Sequence, residues 1–400
     1  MPKVLWMSPY SLHDTSSGAS IAAKQMLESL VKHGYEVWSC ATFVFDTPAG
    51  TSAFGDLDKT LETNKNRVFV MDDKGIHYIY VRNKHRDEMS LSMAESQLLY
   101  ETYLDVLDEF KPDIVFGYCP GMVSIACFSE AQRRGIKTVY FLVNGNHGHF
   151  AFNYYDLVIT DSRATSQLYA ARDNINVVPI GCPFELSRIV AKERDPKYVT
   201  FINPSGAKGV SIFAKLAKAC EKEMPDLRFL VVNSRGNFSQ IAPLLHEQGK
   251  PDVHPYANCA FPNVDMTGIQ TDMRPVFAIT KALLVPSLWY ESWGRVSTEA
   301  VFNNIPVLCS NSGGIPEAMG GSGVIIEAPK HCQEDFFSLP TDEEIKPWVE
   351  GLKTVLSTDY SEQFAKTQQQ HTMENCTRRV MEAFAPLLLP HATNRPHYYR

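Results

Sequence analysis

The sequence lacks the long hydrophobic run that a membrane-spanning helix needs. No stretch of about 18 consecutive apolar residues occurs, and the apolar run at residues 1–7 is too short for the core of a signal peptide. It also lacks a basic amphipathic helix of the kind that docks on lipid. We therefore expect no membrane span and at most peripheral membrane contact.

The nine cysteines lack the spacing of a zinc site or a disulfide framework. They are scattered singly, and no C-x-x-C pair occurs. An odd number of isolated cysteines is typical of reduced thiols in the cytosol. We therefore predict a cytoplasmic protein whose cysteines mostly fill its core.

Positive charge and several familiar motifs are also scarce. The formal net charge is −7, which argues against nucleic acid as the main partner because binding its phosphates needs a basic field. No G-x-G-x-x-G follows the first predicted strand, and neither G-x-x-x-x-G-K-[ST] nor G-x-S-x-G occurs. These absences exclude the usual nicotinamide dehydrogenases, P-loop NTPases and esterases.

Two similar strand–loop–helix–strand units are present. The first has a buried strand at residues 4–7 and a polar loop at residues 8–17, and its helix ends at Gly34. The second repeats the pattern with a strand at residues 198–202 and a loop at residues 203–209. This repetition predicts an α/β protein with two Rossmann-like, doubly wound parallel-sheet domains.

A polar stretch at residues 187–197 is interpreted as the linker between the two domains. We place an N-terminal domain at residues 1–190 and a C-terminal domain at residues 191–375. A helix and tail at residues 376–400 are expected to cross back to the N-terminal domain.

Two carboxylates, Glu291 and Glu299, flank a predicted helix start at Gly294. The free amides and the positive dipole end of a helix N-terminus attract phosphate. A carboxylate beside an anion site is better suited to bind hydroxyls than the anion. A nucleotide-sugar carries such hydroxyls on either side of a diphosphate.

The loop at residues 203–209 opens a helix directly after a strand, where open α/β sheets bind ligands. Gly206 and Gly209 would let the backbone approach a phosphate, and Lys208 would add a positive charge. A surface lysine in a turn is the alternative.

Two further loops have both a structural and a functional interpretation. The glycine loop at residues 310–317 is either a turn that needs positive φ or a wall of the nucleotide pocket, and Glu317 is expected to cap or orient. Gly18 lies in a turn that is either a plain helix cap or a surface facing the ligand of the other domain.

Asn144, His147 and His149 follow a predicted strand. The H-x-H spacing could hold a metal, but no third ligand is evident nearby. We prefer a polar loop that binds the acceptor or the sugar. A D-x-D pair, Asp56 and Asp58, is interpreted as solvated surface.

In these motifs the chain resembles the retaining GT-B glycosyltransferases, the large family that includes sucrose synthase and bacterial mannosyltransferases. Weaker similarity runs along most of the chain. The resemblance implies two Rossmann-like domains that face a central cleft, the N-terminal one binding the acceptor and the C-terminal one the nucleotide-sugar donor. The match is strongest over residues 280–317, at segments 285–287, 291–294, 299–300, 305–307 and 313–317.

The resemblance also implies roles for individual residues. Glu299 would bind the ribose hydroxyls of the donor, Glu291 the hydroxyls of the transferred sugar, and Lys208 the leaving diphosphate. The other donor-binding residues implied are Gly294, Arg295, Val296, Asn203, Ser205 and Gly18.

The chain departs from the family pattern at two positions. The family usually has an arginine where this chain has Asn203, and asparagine carries no full charge; Arg295 and Arg235 are the candidates to replace it. The family often has a histidine at or near Asn144.

The function implied is a retaining, metal-independent hexosyltransferase. It would move a sugar from a UDP- or GDP-type donor to an acceptor hydroxyl in polysaccharide or glycoconjugate synthesis, with no cofactor. The alternatives are a nucleotide-sugar epimerase or a phosphorylase on the same scaffold, and a non-catalytic sugar-nucleotide binder.

Overall fold

A computed structural model describes residues 1–145, 147, 152 and 154–389. Its strands form one eight-stranded sheet, one six-stranded sheet and a separate pair. In chain order the strands are β1 (Lys3–Met7), β2 (Glu36–Thr42), β3 (Val68–Asp73), β4 (Ile76–Val81), β5 (Ile114–Gly117), β6 (Lys137–Leu142), β7 (Leu157–Thr160), β8 (Val177–Pro179), β9 (Tyr198–Ile202), β10 (Arg228–Val232), β11 (His246–Glu247), β12 (Val264–Thr267), β13 (Thr280–Val285), β14 (Val307–Ser310), β15 (Gly323–Ile326) and β16 (Ser338–Leu339).

Helices alternate with the strands and cover both faces of the two large sheets. In chain order the α-helices are α1 (Gly18–Lys32), α2 (Leu57–Thr63), α3 (Met93–Phe110), α4 (Met122–Arg133), α5 (Arg163–Asp173), α6 (Leu186–Ile189), α7 (Val210–Glu223), α8 (Phe238–Ile241), α9 (Arg274–Ile279), α10 (Arg295–Phe302), α11 (Ile315–Met319), α12 (Lys330–Glu334), α13 (Asp342–Ser357), α14 (Ser361–Gln370) and α15 (Met373–Leu388).

Both large sheets have the doubly wound strand order. The first runs β3-β4-β2-β1-β5-β6-β7-β8 and the second β12-β10-β9-β13-β14-β15, and every pairing in them is parallel except that of β3 with β4. The order therefore reverses between β1 and β5, and again between β9 and β13. Ligands of such sheets bind beyond the carboxyl ends of the strands at this switch point. The predicted α/β class with two parallel-sheet domains is confirmed.

The local sequence explains how the first unit begins. In β1, Val4 and Trp6 pack in one buried cluster, whereas Leu5 and Met7 pack in the cluster on the opposite face, because successive side chains of a strand point to opposite sides. The side chain of Ser17 caps α1.

The C-terminal helix α15 returns to the first sheet. Its Thr377 hydroxyl lies 2.7 Å from that of Ser29 on α1, and its Phe384 ring packs edge-on against Phe116 of β5, with centroids 5.6 Å apart. The two large sheets are thus joined twice, at the linker and at this helix. The domain boundaries at residues 190 and 375 stay predictions.

Among the described residues, none of the helices combines the length and the apolar character that crossing a bilayer requires.

Candidate active site

The loop after β9 lies directly against the loop after β13. The loops of the two switch-point strands thus meet at the carboxyl edge of the second sheet. A Cβ on Gly209 would lie only 1.8 Å from the carbonyl oxygen of Pro286, and the left-handed φ of 84° at this position also requires glycine. The carbonyl of Ala207 accepts hydrogen bonds from Leu288 N (2.9 Å) and Trp289 N (3.1 Å). This packing carries Lys208 toward Glu291.

The Glu291 carboxylate accepts hydrogen bonds from two directions. The Lys208 ammonium contacts Oε1, and the Ser287 hydroxyl donates to the same oxygen at 2.8 Å. The Glu291 side chain is only 14% exposed, whereas that of Lys208 is 36% exposed. The carboxylate is therefore nearly buried, and the cation is partly open to solvent.

The glycine loop after β14 supports the Glu291 backbone. Gly314 N donates to the Glu291 carbonyl at 2.8 Å, and the Ser312 hydroxyl donates to the Trp289 carbonyl at 2.6 Å. A Cβ on Gly313 would lie 2.0 Å from the Glu291 carbonyl oxygen, and its φ is 55°. Of the two interpretations of this loop, these contacts favour the structural one.

Helix α10 begins immediately after the Glu291 loop. Gly294 is its N-cap residue with φ of 84°, and no side chain of the described residues caps the first turn. The amides of Arg295 and Val296 are therefore among the uncapped donors of this helix. Gly294 packs on Ile315, from which a Cβ would lie 2.9 Å away.

The Arg295 guanidinium contacts the first domain. Its Nη1 lies 3.0 Å from the Cys182 sulfur and 3.1 Å from the Pro183 carbonyl oxygen, and its Cζ lies 4.5 Å from the centroid of the Phe184 ring. These contacts argue against Arg295 as the replacement for the missing arginine. Its role in binding the donor stays a prediction that rests on its main-chain amide.

Glu299 lies one turn after Arg295, whose Nη2 is 3.6 Å from Oε1. Burial raises the pKa of Glu299, against the opposing effect of Arg295, and its side chain is 13% exposed. A nearly buried carboxylate whose one ion pair among the described residues is 3.6 Å long has acceptor capacity left for hydroxyl groups.

Asn203 has a structural role that the sequence did not reveal. It has a φ of 61°, and its side-chain oxygen accepts a hydrogen bond from Gly236 N at 3.2 Å. Ser205 continues the turn, with its amide 2.7 Å from the Asn203 carbonyl oxygen. Gly236 packs closely on this turn, since a Cβ there would lie 2.5 Å from the carbonyl carbon of Pro204.

Arg235, the residue before Gly236, lies between the two domains. Its guanidinium contacts the Asp46 carboxylate, and its Nη2 lies 3.4 Å from the Ser16 carbonyl oxygen. Gly18, in the same turn of the first domain, lies beside Arg295, whose Cδ would be 3.3 Å from a Cβ there. The turn thus caps α1 and contacts the second domain, and the role of Gly18 beside the ligand stays a prediction.

The loop after β6 reaches the other side of the Glu291 loop. A Cβ on Gly145 would lie 1.9 Å from the Tyr290 ring. The carbonyl of Asn144 accepts a hydrogen bond from Tyr169 at 2.6 Å. His147 Nε2 lies 3.4 Å from the hydroxyl of Tyr140, and burial lowers the pKa of His147. His149 lies outside the described residues.

A buried group that the sequence analysis missed joins the domains beside this loop. The Asp161 carboxylate, after β7, accepts a hydrogen bond from the Ser292 hydroxyl, and burial raises the pKa of Asp161 to about 7. In the sequence it is a polar residue after a strand, which is equally typical of a turn, within segment 156–162, one of the weaker similarities to the family.

Asp56 and Asp58 lie on the surface. Asp56 caps α2 by accepting from Lys59 N at 3.1 Å, and Asp58 pairs with Arg86 at 2.7 Å while 84% exposed. No group of three potential metal-ligating residues occurs among the residues that the structure describes.

Residues 197–338 match the family model described as Glycosyl transferases group 1, which confirms the resemblance over that region. No curated protein sequence matches the chain significantly.

The fold is that of known GT-B structures at low sequence identity. A glycosyltransferase from Rickettsia africae superposes with a TM-score of 0.67 at 14% identity, covering 97% of this chain and 98% of that one. Sucrose-phosphate synthase from Thermosynechococcus elongatus gives 0.65 at 14% identity, with coverage of 97% and 99%. HepE from Anabaena, in complex with UDP-glucose, gives 0.63 at 15% identity, with coverage of 96% and 99%.

Proposed function

We propose that the protein is a glycosyltransferase that moves a sugar from a UDP- or GDP-type nucleotide-sugar to an acceptor hydroxyl. The observation that carries this proposal is the contact between Lys208 and Glu291 at the switch point of the second sheet. Glu291 lies three residues before Gly294, the N-cap of α10, and no side chain of the described residues caps this helix. The cation and the amide donors suit a diphosphate. The carboxylates suit the hydroxyls on either side of it. The match of residues 197–338 to the group 1 glycosyltransferases supports the same function.

Each group of the site has a role set by its charge. Lys208 and the first amides of α10 would bind the diphosphate and stabilise the negative charge that grows on it as it leaves. Glu291 would accept hydrogen bonds from the sugar, and Glu299 from the ribose. The proposal needs no metal, because protein groups supply the positive charge.

The contact between Lys208 and Glu291 indicates how the ligand would enter. A diphosphate would take over Lys208, and the hydroxyls of the sugar would replace it as donors to Glu291. Both partners then exchange one strong polar contact for another, so neither is left buried and unpaired.

The chemistry follows that of the family which the chain resembles. The bond from the anomeric carbon to the diphosphate oxygen breaks, and its electron pair stays on that oxygen. A bond from the acceptor oxygen forms on the same face, and the acceptor proton passes to the departing phosphate. The anomeric configuration is retained, and no protein nucleophile or general base is required.

Arg235 is the better replacement for the family arginine. It lies next to Gly236, whose amide donates to the side chain of Asn203 in the 203–209 turn. Its ion pair with Asp46 joins the two domains. In this role it would leave Asp46 for the diphosphate. Asn144 and His147 are proposed for the acceptor or sugar side, and a saccharide or glycoconjugate for the acceptor.

A panel of UDP- and GDP-sugars tests the function. The true donor should raise the melting temperature of the protein by mass action, and slow release of free nucleotide should follow. The Lys208→Met variant should lose this release. NMR of the product then reports its anomeric configuration, for which we expect retention.

A non-catalytic sugar-nucleotide binder is the second candidate, because the Asn203 side chain is committed to the loop rather than free to bind phosphate. Tight binding without release of nucleotide, with or without added acceptors, would favour it. Conversion of the donor into its epimer would instead identify an epimerase.

A further inference from the structure

The buried carboxylate of Asp161 holds the Glu291 loop from the opposite domain. It accepts hydrogen bonds from the hydroxyl of Ser292 in that loop and, at 3.3 Å, from Thr160 in its own strand. The Ser292 hydroxyl also lies 3.1 Å from that of Thr165. Asp161 and Ser292 are both buried, so this contact is shielded from water.

The position of Ser292 in the chain gives the contact its importance. Ser292 directly follows Glu291 and is two residues before Gly294, where α10 begins. Tyr290, directly before Glu291, packs on Gly145 of the first domain. Glu291 therefore lies between two neighbours that the first domain contacts.

The same segment of the first domain makes a second contact with the second domain. Arg163 N donates to the Glu317 carboxylate at 2.8 Å, and Ser162 packs on Gly314, whose amide hydrogen-bonds to the Glu291 carbonyl. The start of α5 thus touches both the Glu291 loop and the glycine loop beneath it. These contacts require the two domains to be together.

Burying a carboxylate opposes stability, since an apolar side chain would fill the space at lower desolvation cost. Here burial and the nearby Glu317 both disfavour the charged form of Asp161. Groups held against such a penalty are concentrated at functional sites.

We propose that Asp161 is a positioning residue that acts through Ser292. Through this contact between the domains it fixes the backbone between Glu291 and α10, and so orients Glu291 toward the transferred sugar. This inference rests on the proposed function. Asp161 itself would touch neither sugar nor diphosphate.

The test compares Asp161→Ala, Asp161→Asn, Ser292→Ala and the double alanine variant with wild type. Asp58→Asn is the control, since it removes an exposed carboxylate far from this contact. The measurements are kcat and KM with the donor identified above, and the affinity for its free nucleoside diphosphate. The free diphosphate lacks the sugar that Glu291 would bind, so the position of Glu291 should not affect its affinity. Its binding therefore reports whether each variant is folded.

The expected result is a loss of kcat of roughly 10- to 100-fold in both alanine variants, the scale of a misplaced reacting group, with nucleoside diphosphate affinity within about twofold of wild type. Asp161→Asn keeps an acceptor oxygen for Ser292 and should recover most of the rate. The double variant should be no slower than either single one, because both changes break one contact.

The inference and the proposed function fail in different ways. An active wild type whose Asp161→Ala and Ser292→Ala variants keep their kcat overturns the inference alone, as do losses that multiply in the double variant. Equal losses of kcat and of diphosphate affinity also overturn it, since they indicate a structural role only. A wild type that turns over no sugar nucleotide overturns the proposed function and the inference together.

Discussion

The ammonium of Lys208 contacts the carboxylate of Glu291, 83 positions later in the chain. The contact joins the loops that follow β9 and β13, the two strands between which the order of the second sheet reverses. A cation and a hydroxyl-binding carboxylate thus stand side by side where doubly wound sheets bind their ligands.

Glu299 is predicted to bind the ribose and Glu291 the sugar. Glu299→Gln should therefore weaken both the free nucleoside diphosphate and the nucleotide-sugar, by roughly 10- to 100-fold for a charged hydrogen bond of about 1.5–3 kcal/mol. Glu291→Gln should weaken the nucleotide-sugar alone. Titration calorimetry with both ligands separates the two. Glu343→Gln, at an exposed carboxylate of α13, is the control, and an unchanged Kd in Glu299→Gln would refute the ribose assignment.

Gly313 is predicted to be necessary for the shape of the Glu291 loop. Gly313→Ala combines a strained φ of 55° with a Cβ that would lie 2.0 Å from the Glu291 carbonyl oxygen. Gly135→Ala is the matched control, with a left-handed φ of 78° just after α4 and no atom within 4 Å. The control should lose about 1–2 kcal/mol of stability from strain alone and keep its activity. Gly313→Ala should lose more stability and most nucleotide release, and equal behaviour of the two variants in denaturation and release assays would contradict this role.

Arg235 is predicted to bind the diphosphate. Arg235→Ala should weaken nucleoside diphosphate binding by roughly tenfold or more, as expected for a lost charge-assisted hydrogen bond. Added salt should reduce the difference in affinity between this variant and wild type. Arg228→Ala removes an equally cationic side chain paired with Asp265 at 2.6 Å and should bind normally. Equal affinities in Arg235→Ala and wild type would show that Arg235 does not replace the arginine that the family has at the position of Asn203.

Asp161 is predicted to make stability depend on pH. Its pKa is about 7 in the folded protein against an ordinary value of 3.8, so the folded state retains a proton that the unfolded state loses. The penalty of its buried charge is therefore absent below about pH 4 and complete above about pH 7. Asp161→Asn should gain stability over wild type as pH rises through this window, by at most roughly 4 kcal/mol. Denaturation midpoints at several pH values test this, and a difference that does not change with pH would contradict it.

The fold was predictable because its signals are local. The buried run of β1, the cap at Ser17 and the repeat of the same unit at β9 each follow from periodicity and caps. The same reasoning placed Lys208 and Glu291 in loops after strands, and parallel strands bring such loops to one edge.

The direction of side chains across the cleft was not predictable. Arg295 and Arg235 were equal candidates in the sequence, yet one guanidinium contacts Pro183 and the other Asp46, because the outcome depends on how the two domains meet. Asp161 was missed for the same reason, since its partner Ser292 is 131 positions away and no periodic pattern links them.

The most direct test of the donor site is calorimetric titration of UDP and GDP into wild type, Lys208→Met and the control Lys215→Met, whose lysine pairs with Asp342 on α13 at 2.6 Å. We expect wild type and Lys215→Met to bind one of these nucleotides with equal affinity, and Lys208→Met to bind it roughly 10- to 100-fold more weakly. Equal affinity in all three proteins, or no binding of either nucleotide to wild type, would contradict the proposed site.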